Sequence, residues 1–382
     1  MQKKRLDVGM LWPVLALILV PLAMAWLAYP SHLPPGFGIF PPAFVAAPPG
    51  FSLPIFILIA LAEAAVAVFL LFPSWFGFKP VTPAPMPQKA KLPVWFWIGA
   101  AATLFFWWLM WKRVTPFGDL VYYAFSPLWW GFILTLDGLV YRRAGGKSLL
   151  ASKPKTLLIS AMVSIGGWIF FEYLDYFVLG NWYYPNGHMP ELSHAKIVVL
   201  FLIAYTTVWP ALFEWYNLLN TFPTLVARYA NGPKLSLPGN LMLWGGLASV
   251  AAMVFLPYPL FWVMWIGPLA VFAGMLISNN LPSPFAALAQ GNWSPMLLIA
   301  LGSLFNGFFW EFWNWCSANP NPLPATNPNY WIYDIPYVNV IHICAEMPLL
   351  GFAGYLPFGI LVWVLFIWAG EVFGFDSDIT LD

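Results

Sequence analysis

Charge is the scarcest property of this 382-residue chain. Only 8 % of its residues are Asp, Glu, Lys or Arg, against about 25 % in a soluble domain. So few charges cannot clothe a water-facing surface, which excludes soluble globular and disordered classes alike. Cysteine occurs twice, too seldom for a disulfide scaffold, an iron–sulfur site or a Cys-rich zinc site. Histidine occurs four times, too seldom for the histidine boxes of a membrane di-iron oxygenase. A Gly-x-Ser-x-Gly elbow, a His-Glu-x-x-His pair and a phosphate loop are all missing. Basic residues stop at Lys234, and the remaining 148 positions carry seven acidic side chains instead. With no basic stripe outside the loops of a membrane topology, a nucleic-acid partner is not expected.

Apolar residues are abundant. They make up 61 % of the chain, and the mean hydropathy is +0.75. A membrane span needs about 20 such residues. Ten stretches qualify, near 10–29, 52–72, 93–111, 119–141, 156–179, 196–219, 239–256, 260–280, 295–315 and 338–372. The expected fold is therefore all-α: a polytopic integral membrane protein of about ten transmembrane helices. The last stretch is too long for one straight helix. Gly351, Gly354 and Pro357 predict a kink or break near Gly354–Pro357.

Basic residues then set the orientation. Lys3, Lys4 and Arg5 precede the first span. Lys79, Lys89 and Lys91 precede the third. Arg142, Arg143, Lys147, Lys153 and Lys155 follow the fourth, and Arg228 and Lys234 follow the sixth. The opposite loops hold only Lys112, Arg113 and Lys196. A multi-pass cell-membrane protein with cytoplasmic N- and C-termini is expected, and Lys112 and Arg113 are the exception to the pattern. The first span, with Ala23-Met24-Ala25 at its end, also has the layout of a signal peptide; a retained anchor is the preferred reading. Six prolines and no charge in 32–51 predict an extended strip packed on the outside of the bundle. The proline-rich, lysine-bearing stretch 73–93 reads as a cytoplasmic linker.

An internal similarity carries the most information. Ile169-Phe170-Phe171-Glu172-Tyr173-Leu174-Asp175-Tyr176 parallels Phe308-Phe309-Trp310-Glu311-Phe312-Trp313-Asn314-Trp315. Ser164 and Ser303 each stand eight residues before the glutamate. Each run is followed by an aromatic loop, Asn181–Pro185 in one case and Tyr330–Pro336 in the other. These matches predict two parallel three-helix pseudo-repeats related by an axis along the membrane normal. The boundaries expected are an N-terminal two-span region over 1–92, a first repeat over 93–237 (core 119–219) and a second over 238–382 (core 260–372). In having three-helix repeats with membrane carboxylates the arrangement resembles the heterodimeric lycopene cyclases. Their Pro-x-Glu-Glu signature has no counterpart in this sequence, so their activity does not follow.

The candidate chemistry lies on these paired spans. Ser303, Gly307, Glu311 and Asn314 share one helical face, as do Ser164, Trp168, Glu172 and Asp175. A carboxyl facing lipid is costly, so both faces are expected to point inward, and if they meet across the axis they suit acid–base or proton chemistry. The competing role is helix–loop glue. Glu311, Glu172 and Asp175 are the catalytic candidates. Asn314, His342, Glu346, Asp334, Trp331, Tyr333, Trp182 and Tyr184 are the ligand-binding candidates. His342 and Glu346, four residues apart on the last span, are expected to bond each other rather than hold a metal. Glu214, four residues after Pro210, is a weaker candidate, and Glu63 on the second span is read as structural. Most of the 24 tryptophans are expected in the interfacial belts; the sharper reading is an aromatic pocket beneath the loops 180–195 and 316–337.

The outer side lacks the cations an anionic substrate needs. The leading functional expectation is thus a buried acid–aromatic site near the outer leaflet. It would bind or transform a neutral or cationic, lipophilic small molecule without redox chemistry. No cofactor is implied, haem and iron–sulfur clusters least of all. The alternatives are an accessory or scaffolding subunit with membrane-complex partners, and a proton-coupled transporter. The expected surroundings are the lipid bilayer.

Overall fold

The structure, a computed structural model, describes residues 8–45, 47–113, 115–319 and 325–381. The N-terminal basic residues Lys3, Lys4 and Arg5 lie outside the described residues. The fold is all-helical: 65 % of the described residues are helical, in 13 α-helices and the short 3-10 segments between them. Seven helical stretches among the described residues are long and apolar enough to cross a membrane. Two further apolar helices are shorter.

In chain order the helices are α1 (Trp12–Ala28), α2 (Leu53–Leu71), α3 (Val94–Lys112), α4 (Phe125–Arg143), α5 (Leu149–Ser152), α6 (Pro154–Asp175), α7 (His194–Tyr205), α8 (Val208–Asn220), α9 (Pro223–Tyr229), α10 (Gly239–Phe255), α11 (Val263–Ser278), α12 (Ser294–Ala318) and α13 (Tyr355–Phe373). Two-residue strands β1 (Trp182–Tyr183) and β2 (Ile332–Tyr333) pair antiparallel, Trp182 with Tyr333 and Tyr183 with Ile332.

Close helix packing in lipid relies on small residues, because lipid tails offer no less apolar contact than another helix does. The α3–α4 hairpin shows this. A Cβ on Gly99 would meet the Gly131 carbonyl, and a Cβ on Gly131 would meet that of Gly99. In the α10–α11 hairpin a Cβ on Gly246 would likewise meet the Gly267 carbonyl. Helices α8, α12 and α13 pack between these hairpins and supply much of the core, with Trp209, Trp313, Phe213 and Phe366 fully buried. By contrast, no residue of α2 is buried.

Three expected spans differ from the structure. The stretch near 119–141 becomes helical only at Phe125, after a 3-10 turn. The stretch 196–219 is two helices. Pro210 has no N–H for the Thr206 carbonyl, so the ladder fails there. Thr206 and Thr207 instead bond back three residues, to Ile203 and Ala204. Ser164 spans the break, accepting from Trp209 N (3.2 Å) and donating to the Tyr205 carbonyl. In the stretch 338–372, helix is confined to the 3-10 turn Leu349–Gly354 and to α13. The 3-10 turn runs directly into α13, with Gly354 and Tyr355 both helical, so the chain does not break near Gly354–Pro357 as expected; the interruption lies earlier, where the residues before Pro348 are irregular.

The proline-rich strip over 32–51 has no helix among its described residues and packs on the loops: the Pro42 carbonyl accepts from Tyr184 N, and that of Pro49 from Tyr337 N. Arg113, the exceptional cation, is buried and donates to the carbonyls of Cys316 (3.2 Å) and Asn319 (3.4 Å). It thereby satisfies carbonyls that the end of α12 leaves open.

Candidate functional site

The site is built by two helix ends and the loops they hold. At the end of α6, Asp175 Oδ1 accepts the N–H of Asn181 (2.8 Å), the residue that leads into β1. Near the end of α12, Asn314 Oδ1 accepts Trp331 N–H (3.0 Å) and its Nδ2 donates to the Trp331 carbonyl (2.7 Å). Each polar side chain pins the residue before a strand, which is why two strands of only two residues keep a defined register. Asp175 and Asn314 thus act as loop anchors.

One turn back on each helix stands a buried glutamate, Glu172 at 2 % exposure and Glu311 at 0 %. Four donors converge on Glu172. Oε1 accepts from Trp168 Nε1 (2.8 Å), Tyr184 Oη (2.5 Å) and Tyr205 Oη (2.9 Å), and Oε2 from Trp182 Nε1 (3.2 Å). Three converge on Glu311. Oε1 accepts from Tyr355 Oη (2.5 Å) and Tyr333 Oη (3.0 Å), and Oε2 from Met347 N (3.2 Å). Neither carboxyl has the other among its hydrogen-bond partners.

Beside these clusters lies a cavity of about 350 Å³. All four phenols, Tyr184, Tyr205, Tyr333 and Tyr355, line it. So do six indoles: Trp168, Trp182, Trp262, Trp265, Trp310 and Trp331. Phe358 is packed among them, its ring centroid 5.4 Å from that of Trp265 and 6.0 Å from that of Trp168. The glutamates are absent from the lining. They stand behind the phenols and indoles they orient, so the aromatic side chains, not the carboxyls, face the cavity. No Lys, Arg or His lines the cavity among the described residues, and Glu63 of α2 is its one carboxyl.

Of the sequence candidates, the structure brings Trp182, Tyr184, Trp331 and Tyr333 together on the cavity wall. Asp334 is half-buried beside them, its N–H donating to the Asn181 carbonyl (2.8 Å). Desolvation there holds its carboxyl above the usual range. The expected His342–Glu346 pair does not form. Both lie in irregular chain, because Pro348 follows within the same apolar run and no helix forms to bring i and i+4 onto one face. His342 is exposed, while Glu346 accepts from Tyr330 Oη (2.6 Å) and Asn319 Nδ2 (3.1 Å). Among the described residues no three His, Cys, Asp or Glu side chains cluster to hold a metal ion.

Tyr205, Tyr355 and Glu63 were not anticipated as site residues. A usable signal existed for the tyrosines: Tyr205 ends α7 and Tyr355 starts α13, so each sits at an interrupted helix, where side chains can turn toward a cavity. Glu63 is the only charged residue in α2, which on solvation grounds alone marks it for an inward or polar environment.

No protein-family model, no curated protein and no solved structure matches the chain.

Proposed function

We propose that this is a multi-pass membrane protein whose aromatic cavity binds a lipophilic small molecule, neutral or cationic, from the outer-leaflet side, without redox chemistry. The observation that carries this reading is the cavity wall: ten indole and phenol side chains, four of whose phenols donate to two buried carboxyls. Ligand pockets are typically concave, mostly apolar and furnished with a few fixed polar groups. Phenols held by a carboxyl are fixed polar groups, and they are the residues placed to orient a ligand or to relay a proton to it.

Seven apolar helices are compatible with membrane embedding. Adding α4, α10 and α11 makes the ten spans that put both termini in the cytoplasm. The reading treats 93–237 and 238–382 as parallel repeats. It is supported by the Gly-packed hairpins α3–α4 and α10–α11 and by the matching Asp175 and Asn314 anchors. The cavity then lies near the pseudo-axis, where β1 meets β2.

A second reading, a subunit of a larger membrane complex, draws on one feature. The 19 residues of α2 include none that is buried, so the helix is available to a partner helix as well as to lipid.

Gly354 provides the test. It lines the cavity, a Cβ there would meet nothing within 4 Å, and its backbone is helical at φ −60°. Gly354→Phe therefore fills the space with little backbone strain. Bromine-labelled lipophilic probes should quench the tryptophan fluorescence of the wild-type protein in lipid nanodiscs, and Gly354→Phe should abolish saturable quenching. Equal saturable quenching in both proteins would place ligand binding elsewhere.

A further inference from the structure

The cavity wall specifies the charge of its occupant. Its lining has no cation and one carboxyl, Glu63. That carboxyl has no hydrogen-bond or ion-pair partner among the described residues. It is half-buried near the middle of a helix whose other 18 residues are uncharged. A carboxyl in apolar surroundings needs a partner, and here the available space beside it is the cavity. A second unpartnered acceptor belongs to a lining residue. Asn181 is 4 % exposed and lines the cavity, and its Oδ1 is buried without a partner while its Nδ2 reaches only Met264 Sδ (3.2 Å). Half of the lining residues are aromatic, and aromatic faces attract cations through their ring quadrupoles. One donor is also unmatched: Trp331 Nε1 is buried, has no partner and belongs to the lining.

Resting on the cavity-binding reading above, we propose that the ligand is a lipophilic amine, protonated or quaternary, whose positive group sits among the indoles with Glu63 as its counter-ion. The assignment narrows the ligand to the cationic class and makes Glu63 the residue that sets specificity. Glu63 and Ile59 come from α2, outside the 93–382 region that supplies the rest of the lining, so α2 closes the site rather than standing apart from it. Because α2 carries no buried residue, substitution at Glu63 leaves the packed core untouched.

The experiment uses two bromine-labelled probes of one shape in lipid nanodiscs: an aryl-alkyl trimethylammonium and its neutral tert-butyl isostere. Saturable tryptophan quenching reads the binding. Wild type should bind the ammonium at least about tenfold more tightly, a ratio within reach of one desolvated cation–aromatic and charge contact. Glu63→Gln should bring the two probes within about twofold by weakening the ammonium alone, and Glu63→Asp should keep most of the preference. Equal binding of the two probes by wild type, or an undiminished preference in Glu63→Gln, would overturn the proposal while leaving the cavity as a binding site. Saturable quenching by neither probe would overturn both readings.

Discussion

Trp182 pairs with Tyr333 across the two-residue ladder, and the side chains of this one pair reach both buried glutamates. The indole N–H of Trp182 donates to Glu172 (3.2 Å), and the phenol of Tyr333 donates to Glu311 (3.0 Å). A displacement of either loop is therefore felt at both carboxyl clusters. If the ladder couples them, the stability losses of Trp182→Phe and Tyr333→Phe should not add. A double-mutant cycle in detergent should return an interaction energy of about 0.5–3 kcal/mol. Simple additivity would mean that each loop is held by its own helix anchor alone.

The two glutamates should resist replacement by glutamine. Gln has one carbonyl oxygen and an NH2 group, while the donors at Glu172 and Glu311 use both oxygens. One donor is then left facing another. Glu172→Gln and Glu311→Gln should each lower stability by about 1–3 kcal/mol. Thermal unfolding followed by tryptophan fluorescence measures this. Unchanged melting in both variants would show that the donors tolerate an amide and that their geometry does not depend on the carboxyl.

Glu214 of α8 is expected to behave in the opposite way. It is 0 % exposed, lies beside Asp137, and neither of its oxygens meets hydrogen-bond geometry with a partner. The donors in that region go to Asp137 instead: Trp95 Nε1 (2.8 Å), Ser148 Oγ (2.9 Å) and Leu150 N (2.8 Å). An unsatisfied buried carboxyl destabilises, and apolar replacement of such groups is often neutral or favourable. Glu214→Leu should raise stability by about 1–3 kcal/mol. A lower melting temperature would mean that Glu214 is satisfied by a proton shared with Asp137, by bound water or by an ion.

The apolar runs, their lengths and the basic-residue bias are local properties, and they made the helical class and most helix positions legible. The helix breaks were less so. Pro210 is compatible with a kink, a break or the first turn of a new helix, and only the hydroxyl of Ser164 at the gap shows which occurred. His342 and Glu346 have helical spacing in the sequence, but they lie in a segment that Pro348 keeps irregular, so the spacing brings nothing together. The cavity was only partly legible. Trp182, Tyr184, Trp331 and Tyr333 stood out through the loop similarity. Tyr205 and Tyr355 are two among 16 tyrosines; their places at helix ends set them apart, but nothing local shows that each meets a carboxyl 33 or 44 positions away.

The C-terminal tail supplies a pH-dependent contact. Asp378 pairs with Lys153 at 2.5 Å, and Ile379 beyond it is buried with its carbonyl accepting from Asn217 (3.0 Å). Burial alone would push the Asp378 carboxyl up. The hydrogen bonds from Lys153 and Thr380 outweigh it and hold the group below its ordinary value of 3.8. A depressed pKa stabilises above the unfolded value, and the gain is lost as pH falls through the folded one. Wild type should therefore be more stable than Asp378→Asn near neutral pH, and the difference should vanish on acidification below about pH 3.8. Half-exposed ion pairs contribute little, so the gap should be within about 1 kcal/mol. A gap that widens on acidification would reverse the sign.

Topology can be read with the native thiols. Cys344 is exposed and Cys316 is buried. Cys344 lies two residues from Glu346, which bonds Asn319 just beyond the end of α12. The positive-inside assignment puts that end of the molecule outside the cell. The same assignment puts Lys147, between α4 and α5, in the cytoplasm. A membrane-impermeant maleimide applied to intact cells should label Cys344 in the wild-type chain and should leave a Cys344→Ser variant unlabelled. In a chain with both native cysteines replaced by serine, Lys147→Cys should label only after the membrane is permeabilised. Labelling of Lys147→Cys on intact cells, with Cys344 protected until permeabilisation, would invert the whole arrangement. The aromatic cavity would then open toward the cytoplasmic leaflet, and Arg113 would belong to the basic side instead of being an exception to it.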